Sequence, residues 1–119
     1  MGDLTTNFSR HEFACRCGCG LATIDYELLR TLEVLRAHFS QPITVTSGHR
    51  CRQSNALAGG SELSQHLDGR ACDFVVAGTT PGEVQTYLKL RYPRKFGIGC
   101  YPEFTHLDSR DHPARWHVK

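Results

Sequence analysis

Apolar residues recur at helical spacing early in the chain. Ile24, Leu28, Leu32, Leu35 and Phe39 fall on one face, and Glu27, Arg30, Glu33 and Arg36 take the other. Thr23 or Asp25 can cap the start and Pro42 lies beyond the end, which predicts a helix over 24–39. The β-branched run from Ile43 to Ser47 predicts a strand. A polar stretch from Gly48 to about Gly69 follows, too long for a simple turn, and loops of that length in compact domains are often functional. From Arg70 to Val76 the pattern alternates, with Cys72, Phe74 and Val76 on one face and Asp73 on the other. Thr80-Pro81-Gly82-Glu83 has the form of a capping box with proline at the first helical position, opening a second helix through Val84, Tyr87, Leu88 and Arg91. Residues 96–101 and 104–108 predict two strands joined by a turn at Pro102-Glu103, and residues 5–22 are irregular, with Phe8 and Phe13 covering one edge of a core. Helix, strand, long loop, strand, helix and hairpin together predict an α+β domain, with helices against a small, mainly antiparallel sheet.

The chain has 119 residues, enough for one core, so residues 1–119 are expected to form a single domain with 1–22 packed on it, as a monomer. Apolar residues at 39% and charged residues at 22% argue against wholesale disorder. The formal charge of +2 gives no electrostatic case for a nucleic-acid or membrane-surface partner. No apolar run is long enough to span a membrane, and no basic-then-apolar leader opens the chain, so synthesis without a signal peptide is expected. On that view the six cysteines start reduced and are not a disulfide framework. Cys15, Cys17 and Cys19 are spaced by two, not by the three of a C-x-x-C knuckle, so a thiolate zinc site competes there with a Gly-rich turn carrying small thiols. Whether these three and Cys51 pair or bind a metal stays open, while Cys72 and Cys100 lie in apolar stretches and read as core.

Asp73 raises the question of chemistry. Mid-strand between Cys72 and Phe74, its carboxylate is expensive to desolvate without a partner. His66 upstream and His106 on the hairpin offer two imidazoles, and two imidazoles with one carboxylate leave a fourth tetrahedral position open, the pattern of catalytic zinc. An ion pair of Asp73 with Arg70 or a histidine, without metal, is the plain alternative. Asp108 shares a strand face with His106 and can approach the metal or orient His106; an Asp108–Arg110 salt bridge is its simpler role. Glu103, at the turn, can act as general base or be an ordinary exposed residue. Arg50, entering the loop, can hold a substrate carboxylate or be a solvated arginine.

These pieces resemble a known family. Ser64-Gln-His66-Leu-Asp-Gly69-Arg-Ala71-Cys-Asp73 resembles the S-x-H-x-x-G-x-A-x-D signature of the zinc D-Ala-D-Ala carboxypeptidases, which also include D-Ala-D-Ala dipeptidases, L-alanyl-D-glutamate endolysins of phages and murein endopeptidases. Thr46-Ser47-Gly48-His49-Arg50 with Asn55 is similar to the family's S-G-Y-R…N segment, with His49 in place of tyrosine. Phe96-Gly97-Ile98-Gly99, Phe104-Thr105-His106-Leu107-Asp108 and Arg115-Trp116 resemble its G-x-G, H-x-D and closing R-W segments. The opening from Phe8 to Cys15 resembles the compact, phage-associated branch. The resemblance implies one catalytic zinc on His66, Asp73 and His106, Glu103 as base with Asp108 in support, and Arg50 holding the substrate carboxylate. It further implies substrate contacts from Ser64 and His49, and a peptidoglycan stem peptide as partner. The implied reaction is that of a D-Ala-D-Ala carboxypeptidase or D,D-endopeptidase, acting on the cell wall after release or from a virion. An L-alanyl-D-glutamate endolysin, or a zinc-containing binding domain of the hedgehog type that does not cut, are the alternatives.

Overall fold

The structure, a computed structural model, describes residues 2–119. Helix α1 spans Tyr26–Phe39, with Asp25 at its N-cap and Ser40 closing it in the left-handed conformation. Its apolar stripe follows the predicted one, with Leu28, Leu32 and Leu35 buried and Ile24 and Phe39 packed at the margins, and Leu29, outside that pattern, is buried as well. Strand β1 is Ile43–Ser47, β2 is Ala71–Val76, β3 is Gly97–Cys100 and β4 is Thr105–Asp108. Helix α3 covers Pro81–Arg91, and Thr80 Oγ1 accepts the Glu83 N–H as its cap. The predicted polar loop is not structureless, because it folds into a short helix α2, Arg52–Leu57, and a 3-10 turn, Gln65–Asp68. The N-terminal segment carries a 3-10 turn of its own at Arg10–Phe13. A fifth strand, β5, runs Ala114–His117.

The five strands lie in the order β1-β2-β4-β3-β5, antiparallel except for β3 with β5. Strand alternation divides the sheet between two tasks. Cys72, Phe74, Val76, Ile98, Cys100 and Leu107 join the leucines of α1, Val84 and Leu88 of α3, and Phe8 and Phe13 in one apolar cluster. The opposite face carries Asp73, His106 and Asp108, and the chain from Gly48 to Gly69 folds over it, bringing His66 to Asp73. Among the described residues no helix is long and apolar enough to cross a membrane.

Candidate metal centre

Sheet register builds most of the site. Ser47 pairs with Asp73, Asp73 with His106, His106 with Gly99 and Gly99 with Trp116, so one transverse row crosses the whole sheet. Directly opposed residues on neighbouring strands share a face at close range, and His106 Nδ1 accordingly lies 2.9 Å from Asp73 Oδ1. Gly99 makes room in that row. A Cβ there would sit 2.8 Å from the Trp116 indole, whose ring packs 5.1 Å, centre to centre, from His106. Gly97, one pair along, likewise leaves space that a Cβ would take from the Asp108 carboxylate and Arg110.

His66 enters from the 3-10 turn above the sheet. Ser64 starts that turn and its Oγ accepts the His66 N–H at 3.2 Å, while the Arg50 N–H donates to the His66 carbonyl at 2.9 Å. The ring then reaches Asp73 Oδ1 through Nε2 at 3.2 Å. His66, Asp73 and His106 are all buried and aim one donor atom each at a common point, within 4.8 Å of one another.

The outer hydrogen bonds decide what those inner atoms are. His66 Nδ1 lies 2.7 Å from the Gly48 carbonyl, an acceptor only, so this nitrogen carries the proton. His106 Nε2 lies 2.7 Å from Asp108 Oδ2 and donates to it. In the neutral state each ring therefore turns a bare nitrogen lone pair toward the Asp73 carboxylate. Two lone pairs and an anion converging in a buried site repel one another, and a cation between them converts all three into ligands. The donor set, two imidazoles and one carboxylate, is that of a zinc site with an open fourth position. The residues present fit the metal. Without a metal, the Arg50 guanidinium, 3.4 Å from the second Asp73 oxygen, already supplies balancing charge. Burial works to raise the Asp73 carboxyl, but hydrogen bonds and charge from His106 and His66 outweigh it and hold it at about 2. Burial opposes charge on His106, and Asp108 and Asp73 reverse that and raise its pKa.

Asp108 is wholly enclosed. Its Oδ1 accepts from Arg110 Nε at 2.7 Å and its Oδ2 from Arg110 Nη2 at 2.8 Å, in addition to His106. Burial would raise this carboxyl, but Arg110 and His106 keep it far below the usual carboxylate range. The plain Asp108–Arg110 pair and the orientation of His106 thus coexist, and Asp108 has no free oxygen with which to take a proton from a substrate. Glu103 is exposed in the β3–β4 turn, and its side chain forms no hydrogen bond or ion pair among the described residues. That turn is braced around it by the stacked rings of Tyr101 and Phe104 and by Gln85, which donates to both of their carbonyls.

Arg50 is half-buried against the centre. Nε donates to Ser47 Oγ at 3.0 Å, Nη1 to Asn55 Oδ1 at 3.3 Å and Nη2 to Asp73 Oδ2 at 3.4 Å. It is not a solvated loop residue. A cleft of about 600 Å³ opens beside it, lined also by Leu21, Arg52, Glu62 and Ser64. His49 differs from the expected substrate contact. Its Nδ1 accepts the Thr23 N–H at 3.0 Å and its Nε2 donates to the Leu67 carbonyl at 3.1 Å, so both ring nitrogens are used in holding the N-terminal segment to the 3-10 turn. Ser64 spends its hydroxyl oxygen on the His66 backbone, although it still borders the cleft.

Three partners were not legible as site residues. Ser47 and Asn55 position Arg50, and Trp116 covers His106 while its Nε1 donates to the Tyr101 hydroxyl at 3.3 Å. The available signals were the motif positions they occupy, since Asn55 and Trp116 stand in the segments that carried the family resemblance. Arg115, beside Trp116, is structural: its guanidinium donates to the carbonyls of Tyr92, Lys95, Phe96 and Ala114 and so ties β5 to the α3–β3 connection. A family model described as Peptidase M15 matches residues 6–108, a span holding the three clustered residues, Arg50 and Glu103. No curated protein matches the chain.

Proposed function

Because the chain belongs to the Peptidase M15 family, the zinc D-Ala-D-Ala carboxypeptidase family, and is a metallopeptidase, we propose that it hydrolyses an amide in the stem peptide of peptidoglycan, as a D-Ala-D-Ala carboxypeptidase or D,D-endopeptidase. The observation that carries this reading is the convergence of His66, Asp73 and His106 on one point, with Arg50 joining that point to an open cleft.

In this reading His66, Asp73 and His106 hold the zinc. Bound there, the ion supplies Lewis acidity, which polarises a carbonyl and acidifies water. Asp108, locked by Arg110, fixes the His106 ring with its Nδ1 inward and strengthens it as a ligand. Arg50 keeps the second oxygen of Asp73 occupied, so only Oδ1 faces the two imidazoles. A guanidinium has five N–H donors. Three are engaged, which leaves one on each terminal nitrogen for the carboxylate of a substrate in the cleft. That contact orients the scissile bond and converts binding into a defined geometry. Glu103 is assigned the proton transfer from water to the leaving amine on the family resemblance, supported by its unpaired side chain in the turn before His106 and by the full pairing of Asp108. A phage or prophage role in wall lysis belongs to the same proposal and is supported by the resemblance of the opening segment to the phage-associated branch.

Defined stem peptides test it. A peptide ending in free D-Ala-D-Ala should lose its terminal alanine in a zinc-dependent reaction. The same peptide amidated at its C-terminus should be cleaved roughly 10-fold to 100-fold more slowly, the scale of a charged hydrogen-bonded contact. Cleavage confined to cross-linked dimers would select the endopeptidase. Cleavage between L-alanine and D-glutamate would replace the D,D assignment, and no cleavage of any of them would favour a domain that binds without cutting.

A further inference from the structure

The structure assigns a second metal centre, a tetrathiolate zinc site made by Cys15, Cys17, Cys19 and Cys51, which joins the N-terminal segment to the start of α2. It stands independently of the peptidase reading, because none of its residues belongs to the His–Asp–His cluster.

Four sulfurs from two distant parts of the chain share one small volume. Cys15 and Cys17 Sγ are 3.5 Å apart, Cys17 and Cys51 Sγ are 3.7 Å apart, and all four lie within 4.8 Å of one another. Thiolates on a tetrahedral ion with Zn–S bonds of about 2.3 Å stand roughly 3.8 Å apart, close to the separations of Cys17 from Cys15 and Cys51 and inside the 4.8 Å that bounds all four. The compactness selects a single ion, since a two-iron cluster separates its thiolates onto two metals. Four soft ligands in tetrahedral reach, with no oxygen or imidazole among them, select zinc over the hard divalent cations. All four cysteines are free thiols in the structure.

The two-residue spacing that disfavours a C-x-x-C knuckle has a physical use here. Residues 16–19 form a tight turn, and that reversal gathers the sulfurs of Cys15, Cys17 and Cys19 into one small volume. The Cys15 N–H donates to the Leu21 carbonyl at 2.7 Å and the Gly18 N–H to the Cys15 carbonyl at 3.2 Å. Gly18 and Gly20, at φ +82° and +95°, make the reversals that a side chain would strain. Cys51 arrives from the segment after β1. Its N–H points to Cys15 Sγ at 3.4 Å and its Sγ accepts the Ser54 N–H at 3.4 Å, while Cys15 Sγ contacts Ser54 Oγ at 3.2 Å. The two N–H contacts to sulfur are of the kind that orient and stabilise metal thiolates. Cys17 and Cys19 are exposed, which leaves the site open to ion entry.

The position gives the centre a consequence. Cys51 follows Arg50 directly, and both line the cleft together with Leu21 at the far end of the cysteine loop. A metal that fixes the loop to Cys51 thereby holds one wall of the cleft and the backbone that presents Arg50, making the four cysteines positioning residues.

The test counts and identifies metal in the full chain, purified with reductant and reconstituted with zinc alone. Wild type should bind about two zinc ions, and H66A/H106A and C17S/C19S about one each, as expected when each variant removes one centre's ligands. Cobalt substituted into H66A/H106A should give the sulfur-to-metal charge-transfer absorption of a tetrathiolate, and cobalt in C17S/C19S should not. The wild-type cobalt spectrum reads the thiolate centre without any substitution, so a variant that fails to fold leaves the test decisive. A single zinc in wild type that C17S/C19S retains in full, or a cobalt spectrum without thiolate charge transfer, would overturn the assignment. So would disulfides among these four cysteines in freshly isolated protein, seen as lost hydrogens by intact mass. If the cysteine zinc is present but H66A/H106A loses none, the peptidase centre fails and this one stands.

Discussion

One carboxylate, Asp73, organises the chemistry because it is buried in a strand and answered from three directions by His66, His106 and Arg50. Its role was open to sequence reasoning for a simple reason: an acidic residue between Cys72 and Phe74 is costly unless something compensates it. Partners such as Ser47 and Asn55 were not open in that way, since a serine at a strand end or an asparagine in a short helix costs little to leave in water, and only their motif positions marked them. The two acidic residues beside His106 separate sharply. Asp108→Asn keeps the shape but weakens the hold on His106 and leaves Arg110 facing a neutral group. Metal affinity and activity should drop by about 10-fold to 100-fold together, as for other outer partners of metal ligands. Glu103→Gln should keep its zinc and lose activity by about 10²-fold to 10⁴-fold, the scale of general acid–base catalysis. Steady-state kinetics beside metal analysis separate these cases. Wild-type turnover in Glu103→Gln would remove Glu103 from the mechanism.

At the scale of elements, long periodic stretches were the legible ones. Helix α1, strands β1 to β4 and helix α3 follow the apolar pattern within a few residues. Helix α2 and β5 did not announce themselves. Four polar residues followed by Ala56 and Leu57 have no period to read, and β5 is a four-residue strand defined by its parallel pairing with β3. Register then turns elements into a site, and glycine permits it. Gly99→Ala places a Cβ against the Trp116 ring, so β5 must shift or the indole must leave His106. We expect a loss of about 1–3 kcal/mol, as for other overpacked positions, read as a lower midpoint in thermal or urea unfolding. Weaker zinc binding should accompany it. Unchanged stability would mean that the ring moves freely and does not brace the centre.

For the whole molecule, the sheet is the boundary between stability and chemistry. One face is closed by α1, α3 and the aromatic side chains of the N-terminal segment, and the other presents ligands beneath the chain from Gly48 to Gly69. His49 and the cysteine cluster fasten the N-terminal segment to that covering chain, so the irregular first residues belong to the architecture of the cleft. The motif segments that hold Arg50, His66, Asp73, His106 and Trp116 converge on this one face, which is why the family was readable before the fold. Under the proposed function, the cleft beside Arg50 is the part that would select the bond, and no motif encodes its shape. The most direct measurement is a digest of purified peptidoglycan with zinc-loaded protein, its soluble products identified by mass spectrometry, beside a chelator-treated sample and His66→Ala. Zinc-dependent release of alanine or of opened cross-links, abolished in both controls, is the predicted result. No product in the zinc-loaded sample, or equal product in all three, would contradict a metallopeptidase centre acting on the cell wall.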